Sequence, residues 1–335
     1  MAKGQIFYSE NVKNSFNNYC LAEGIEEVIV ICDVNTEKHC LTLFDDFRNI
    51  IVIPSGEINK DIDTYSFIIK NLIYLKANKS SLIVNLGGGV VSDIGGFAGS
   101  TYMRGIRFLN IPTTLLAMVD ASIGGKTGVD FLLHKNYLGT FALPEMILID
   151  PVFLKTLPKE ELKSGIAEMI KTGVIANAEL FEALNNGTEV EKLIHLTAQT
   201  KWEITERDLL DKHERQLLNF GHTIGHAFES YRLNIDQPIR HGLAIAKGMM
   251  AETRIAYALN MINENELNLI INCIAKRTEQ TELSTEDIQA IAPLLKMDKK
   301  NLKEEINFSL PLGVGSGKVK VAVDLKQIQK ILLNA

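Results

Sequence analysis

Leu82-Ile83-Val84-Asn85-Leu86 runs directly into Gly87-Gly88-Gly89-Val90-Val91-Ser92-Asp93, with Gly95-Gly96 following. An apolar run closed by glycines and continued by a helix-compatible segment reads as a strand, a tight turn and a helix. Glycines let a backbone approach a pyrophosphate, and a helix start offers free N–H groups and a positive dipole end. The spacing is not Gly-x-Gly-x-x-Gly, so the standard dinucleotide fingerprint is absent. Taken alone, the stretch fits either a phosphate cradle or an ordinary strand-to-helix turn.

The same grammar repeats on both sides. Val28-Ile29-Val30-Ile31-Cys32 ends at Asp33, Ile50-Ile51-Val52-Ile53 at Pro54, Phe108-Leu109-Asn110-Ile111 at Pro112, and Met146-Ile147-Leu148-Ile149 at Asp150. Continuous apolar runs of this kind suit parallel strands buried on both faces. Asp61 to Lys76 has helical periodicity. The alternation predicts an α/β domain with a parallel sheet over residues 1–152. Beyond it, the segments 159–175, 178–210, 214–232, 241–260, 264–277 and 285–296 read as helices, with few Gly or Pro inside. Residues 153–335 are therefore expected to form a mainly α-helical second domain, with two short strands between Ile306 and Val323. A chain of 335 residues is long enough for two cores.

Bulk properties narrow the function. The net charge of −6 gives no support for nucleic-acid binding, which usually shows a basic surface. Four cysteines, none in Cys-x-x-Cys spacing, disfavour a zinc knuckle or thioredoxin-type motif, and Cys32 reads as a small buried hydrophobe. Met1-Ala2-Lys3-Gly4-Gln5 lacks the apolar core of a signal peptide, and no 18-residue apolar run suggests a membrane span. A cytoplasmic location is expected.

Several other stretches could carry chemistry. Ser55-Gly56-Glu57-Ile58-Asn59-Lys60 follows a strand run, where a carboxylate can accept ribose hydroxyls; it reads first as a helix start capped by Ser55. Asp120-Ala121-Ser122-Ile123-Gly124-Gly125-Lys126-Thr127-Gly128, with Lys135-Asn136 beyond, looks superficially like a nucleotide phosphate loop. Position 120 is Asp where that loop needs its first glycine, so a nucleoside-triphosphatase reading is poor. It reads as a flexible loop, either a site for a small anionic or polyhydroxylated ligand or simply solvated.

The segment Glu214 to Glu229, read as one helix, puts Arg215, Asn219, His222 and His226 on one stripe roughly 60° wide at about 100° per residue. A polar stripe without Lys or Glu on an otherwise apolar helix reads as a buried wall needing partners. Two His at i and i+4 can share a metal, or one can bind metal while the other moves protons. They could also be satisfied core histidines. Glu168 and Lys171 lie at i and i+3 in a segment too apolar for an exposed face, and His241 opens a small-residue helix. His₂Glu is a known catalytic zinc set, but the long gaps here would not identify it by spacing.

Together, Gly87 to Asn136, Lys155-Thr156-Leu157-Pro158, Ala167-Glu168-Met169-Ile170-Lys171, Asn219-Phe220-Gly221-His222-Thr223-Ile224-Gly225-His226 and His241-Gly242 closely resemble the 3-dehydroquinate synthases, sugar phosphate cyclases. The resemblance runs in order over about residues 50 to 315. It implies conversion of 3-deoxy-D-arabino-heptulosonate 7-phosphate to 3-dehydroquinate and phosphate in the shikimate pathway. The route is transient oxidation by NAD, phosphate elimination, re-reduction and intramolecular aldol closure. It implies Glu168, His222 and His241 as ligands of Zn2+ or Co2+, and His226 as the proton relay. Asp120, Asn136, Lys126, Lys171, Lys201, Arg215 and Asn219 resemble substrate contacts, and Lys299 or Lys300 a further anion contact, with Lys300 preferred. NAD contacts would fall on Ser55, Gly56, Glu57, Ile58, Asn59 and Lys60; on Gly89, Val90, Val91, Ser92 and Asp93; on Thr113, Thr114, Lys126 and Lys135; and on Phe153, Leu154, Lys155 and Thr156. A homodimer is implied, with Arg104 reaching the partner subunit's substrate phosphate.

Asp211 stands where Glu is common in the family, Leu243 where Glu is common, Asp130 where Asn is common, and Ser92 where Gly is common. Rival readings are cyclases acting on sedoheptulose 7-phosphate or glucose 6-phosphate, a metal-dependent polyol dehydrogenase that accumulates NADH, and a non-catalytic NAD-binding regulator. Gly124-Gly125-Lys126-Thr127 and Arg215 favour dehydroquinate synthase over the other cyclases.

Overall fold

A computed structural model of the protein describes residues 4–44, 47–132, 134–296 and 305–334. The chain divides into two compact units, Met1–Pro158 and Lys159–Ala335.

The first unit contains β1 (Gln5–Tyr8), α1 (Val12–Glu23), β2 (Val28–Asp33), α2 (Val34–His39), β3 (Asn49–Ile53), α3 (Ile62–Tyr74), β4 (Leu82–Gly87), α4 (Gly89–Thr101), β5 (Arg107–Pro112), β6 (Lys126–Phe131), β7 (His134–Phe141) and β8 (Met146–Ile149). Six strands form one sheet in the order β1-β8-β5-β4-β2-β3, and every pair in it is parallel. The apolar runs explain this. All of β4 and β8 and the centre of β2 are buried, as strands covered on both faces must be. Ile29, Ile31, Ile53, Ile68, Leu72, Ile83, Val91 and Ile94 share one core beneath α3 and α4. Each such side chain contributes about 1.5–3 kcal/mol by leaving water. From β2 the chain steps one way to β3 and the other way to β4. That reversal puts a topological switch point between β2 and β4, where the glycine-rich turn emerges.

Two expectations are corrected here. The loop expected around Lys126 is instead the antiparallel hairpin β6–β7, paired from Lys126 with Phe141 to Phe131 with His134. Its glycines serve that pairing: a Cβ on Gly128 would lie 2.6 Å from the Leu138 carbonyl oxygen, and one on Gly139 2.4 Å from that of Thr127. Ser55 does not cap α3. Asp61 does, accepting from the Thr64 amide at 2.8 Å, after a short 3-10 turn at Glu57–Asn59.

The second unit contains α5 (Lys159–Ala176), α6 (Ala178–Asn185), α7 (Val190–Arg207), α8 (His222–Asn234), α9 (His241–Ala258), α10 (Glu264–Thr278), α11 (Thr285–Lys296), β9 (Glu305–Pro311), β10 (Gly317–Asp324) and α12 (Leu325–Leu333). The antiparallel pair β9–β10 was expected; α12 was not. Ile224, Phe228, Ile255, Ile291, Phe308, Leu310 and Ile328 form a core among α8, α9, α11, β9 and α12. The helix expected over 178–210 is two helices, broken where Gly187 adopts φ +85°.

The helix expected over 214–232 is also broken. Glu214–Asn219 is a 3-10 helix, Phe220 is extended, and Gly221 has φ +80° before α8 begins. Counting a constant helical turn across Gly221 put Arg215 and Asn219 in phase with His222 and His226; only the two histidines share a helix. Gly221 is required twice over, because a Cβ would also meet Met249 Cγ at 2.4 Å. Among the described residues, no helix is long and apolar enough to cross a membrane.

Candidate active site

In the second unit, side chains from α5, α8 and α9 converge. Glu168 sits in the middle of α5 with no exposed surface. Its Oε1 lies 3.9 Å from His222 Nε2 and 3.8 Å from His241 Nε2, and has no hydrogen-bond partner among the described residues. Its other oxygen pairs with Lys171 one turn along, itself only 1% exposed.

The two histidines are oriented by their remaining nitrogens. His222 Nδ1 lies 3.1 Å from the Phe220 carbonyl, which leaves Nε2 for Glu168. His241 Nδ1 lies 3.5 Å from Glu229 Oε2. His226, one turn after His222, brings its ring centroid to 5.2 Å from His222 and 5.7 Å from His241. One nitrogen from each of the three histidines lies within 4.8 Å of the other two. Burial, then the positive charge of Lys171 and the neighbouring imidazoles, push His222 well below the usual histidine range. It is therefore neutral near pH 7, with a lone pair to offer a cation.

The donor set suits a divalent metal. A buried carboxylate oxygen without a partner is costly, and here it faces imidazole nitrogens whose opposite edges are already held. That outer layer of partners is what metal-binding histidines need.

Other expected contacts take separate positions in this unit. Lys201 is buried on α7. Arg215 is buried in the 3-10 helix, and its guanidinium donates to the Leu209 carbonyl at 2.7 Å. Asp208 organises that turn by accepting from the Lys212, His213 and Arg215 amides at 3.0, 2.6 and 3.1 Å. Asn219 ends the same turn half-buried. Of the family departures, Asp211 has φ +56° and Leu243 is buried core. Lys299 and Lys300 lie outside the described residues.

The first unit gathers a different set. The turn from β4 to α4 has a glycine, Gly88, at the N-cap of α4, so no side chain at the cap itself satisfies the first amides. A Cβ on Gly88 would sit 3.0 Å from Thr114 Cγ2, and one on Gly89 3.2 Å from Ala121 Cβ, so the turn lies close against both neighbours. Ser92 is buried, and its hydroxyl has no hydrogen-bond partner among the described residues. Lys60 pairs with Glu57 at 2.7 Å and Asp93 at 3.3 Å, which brings the two expected cofactor segments together. Asp130 accepts from the Asn136 amide at 2.7 Å and donates its own amide to the Lys60 carbonyl at 2.7 Å. Asp120 lies in a π-turn, Thr113 and Thr114 follow β5, and Phe153 to Thr156 lie in a 3-10 helix. Arg104 is exposed beside exposed Met103, both with positive φ.

Glu229, Asp208 and Glu252 were not foreseen from the sequence. Glu252 was open to notice, as a lone carboxylate behind Met249-Met250-Ala251 in an apolar helix.

The sequence matches the family described as 3-dehydroquinate synthase N-terminal over residues 50–164, and that described as 3-dehydroquinate synthase C-terminal over 165–301. The chain belongs to the 3-dehydroquinate synthase family. The 3-dehydroquinate synthase of Parabacteroides distasonis is 34% identical over 344 residues, spanning 99% of this chain and 98% of the relative. The fold matches 2-deoxy-scyllo-inosose synthase, solved with carbaglucose-6-phosphate, NAD+ and Co2+, with TM-score 0.87 and 24% identity over 98% of this chain and 96% of that one. It also matches 2-epi-5-epi-valiolone synthase from Streptomyces hygroscopicus subsp. jinggangensis, solved with NAD+ and Zn2+, with TM-score 0.85 and 25% identity over 100% of this chain and 97% of that one. The 3-dehydroquinate synthases are thus nearer in sequence than these two cyclases of the same fold.

Proposed function

We propose that this chain converts 3-deoxy-D-arabino-heptulosonate 7-phosphate to 3-dehydroquinate and phosphate, using NAD and a divalent metal, Zn2+ or Co2+. The observation that carries the reading is the buried, unpartnered Glu168 Oε1 facing His222 and His241, in a chain of this family. Glu168, His222 and His241 hold the metal, which supplies a Lewis acid that lowers the pKa of a substrate hydroxyl. Bound NAD would supply a hydride acceptor and, once reduced, a hydride donor, which would make turnover redox-neutral.

The chain's own residues bind, orient and move protons. The α4 N-terminus, Lys60 and the Ser92 hydroxyl receive the dinucleotide, with Lys126, Lys135, Thr113, Thr114 and Phe153 to Thr156 as further contacts. Lys171, Lys201, Arg215, Asn219, Asp120, Lys126 and Asn136 hold a substrate that carries a phosphate and a carboxylate. Several cations gathered in an acidic protein focus anion binding locally. Lys171 pairs with Glu168 one helical turn away. His226 lies next to both liganding histidines yet reaches the surface, which suits a group that passes protons to and from the substrate.

The first unit is the NAD-binding domain and the second the metal- and substrate-binding domain. The exposed Met103–Arg104 turn supports a homodimer in which Arg104 serves the partner's site. A cytoplasmic location suits such a biosynthetic enzyme.

Phosphate release from 3-deoxy-D-arabino-heptulosonate 7-phosphate, followed together with 340 nm absorbance, tests the reading. Release that requires NAD and metal without net NADH is expected. No release would favour another sugar-phosphate cyclase, and steady NADH build-up a polyol dehydrogenase.

A further inference from the structure

Glu252 has no exposed surface and lies within α9. The helix it serves is α8. The N-cap of α8 is Gly221, which has no side chain to satisfy the amides of the first turn. Glu252 fills that role from the neighbouring helix. Its Oε2 accepts from the Gly221 amide at 2.6 Å and its Oε1 from the Ile224 amide at 3.0 Å. His222 lies between those two anchored residues, as the first residue of α8.

The two helices have no room to slide past each other. A Cβ on Gly248 of α9 would lie 2.0 Å from the Gly221 carbonyl oxygen and 2.6 Å from the Gly225 nitrogen. A Cβ on Gly225 would lie 3.1 Å from the Ala244 carbonyl oxygen. His241 opens α9, so the clamp between the two helices also sets where His222 and His226 stand relative to His241.

We propose that Glu252 is a positioning residue for the metal centre: its carboxylate caps α8 from α9 and fixes the His222 turn before a cation binds. The proposal rests on Glu168, His222 and His241 being the metal ligands. Glu252 acts through the backbone on both sides of His222.

The test uses the full-length protein and Glu252→Gln. Glutamine keeps the shape and one acceptor oxygen but turns an NH₂ toward an amide N–H. Zinc affinity, measured by competition with a chelator, is expected to fall about 10- to 100-fold, the usual effect of losing an outer-layer partner. The visible spectrum of the Co2+ form should change, and kcat should fall while substrate KM stays within about twofold. Wild-type zinc affinity and an unchanged Co2+ spectrum in the variant would overturn the proposal, whatever happens to its melting temperature. If the variant does not fold, hydrogen exchange on metal-stripped wild type decides. Retained protection at Gly221, Thr223 and Ile224 is expected, and loop-like exchange there overturns the pre-set turn. A wild-type protein that takes up no zinc would remove the metal-centre reading and this proposal together; normal uptake with an indifferent variant removes this proposal alone.

Discussion

Lys60 Nζ stands 3.3 Å from Asp93 Oδ2, joining residues 33 positions apart in sequence. One partner follows β3 and the other lies in α4, beyond the glycine-rich turn. Lys60 is 4% exposed and also pairs with Glu57. Burial alone would lower its pKa, but Asp93 and Glu57 outweigh this and hold it above the ordinary lysine value. The cation therefore ties together two edges of the proposed dinucleotide site.

Replacing it by alanine removes the cation that bridges Asp93 and Glu57. Lys60→Ala should weaken NAD binding by about tenfold or more, the effect of losing roughly 1.4 kcal/mol or more of binding free energy. Zinc content should be unaffected. Calorimetric titration with NAD, paired with metal analysis, checks both halves; equal NAD affinity would remove Lys60 from the site.

Glu168→Gln keeps the volume at the metal centre but removes the anion. Metal affinity should drop by about two orders of magnitude or more, since the change removes a proposed ligand rather than an outer-layer partner. Metal-dependent phosphate release should be lost, with NAD binding intact. Metal content after dialysis and a parallel NAD titration separate these outcomes, and full zinc occupancy in the variant would count against Glu168 as a ligand.

The Asp130–Asn136 contact predicts a pair of unequal variants. Asp130→Asn retains an oxygen able to accept the Asn136 amide at the observed 2.7 Å, whereas Asp130→Ala does not. Asn136 holds φ +51°, a conformation that needs support from its surroundings. The alanine variant should lose about tenfold in kcat/KM, and the asparagine variant should recover most of it. Two equally impaired variants would show that the carboxylate charge, not the hydrogen bond, matters.

Asp208 supplies the pH prediction. Burial alone would raise its carboxyl, but amide hydrogen bonds from Lys212, His213 and Arg215 outweigh this and hold it below the ordinary value. A folded-state pKa below the unfolded one adds stability above the unfolded value of about 4, which is lost as pH falls through the folded pKa. Asp208→Ala should cost about 1–3 kcal/mol at neutral pH for the unsatisfied amides. The gap between variant and wild type should narrow as pH falls below about 4 toward the lower folded-state pKa of Asp208. Denaturant melts at pH 7 and pH 3 test this, and a constant gap across both would contradict it.

The parallel sheet was legible because its strands are continuous apolar runs, and β2, β4 and β8 fall where those runs stand. The histidines at i and i+4 were legible for a similar reason, since they share α8. The β6–β7 hairpin was not. Its two strands mix glycine, charge and small residues, as in Lys126-Thr127-Gly128-Val129-Asp130, and their only apolar signal is weak alternation. The break at Gly221 was hidden because glycine inside a helical pattern is tolerated; its positive φ and the close approach of Met249 appear only in the folded chain.

By itself the sequence determined the sheet strands that are continuous apolar runs, the helical character of most of the second unit, where the glycine-rich turn lies, and which residues are able to bind a metal or an anion. Those properties are local: periodicity, side-chain type and the order of motifs along the chain. Tertiary structure decided that Glu168 Oε1 faces His222 and His241, that Lys60 joins Asp93, and that Glu252 caps a helix to which it does not belong. Each of these pairs spans tens of residues, and no periodicity encodes it. They exist because burying the apolar faces of these elements brings distant polar groups together, and those groups must then satisfy one another.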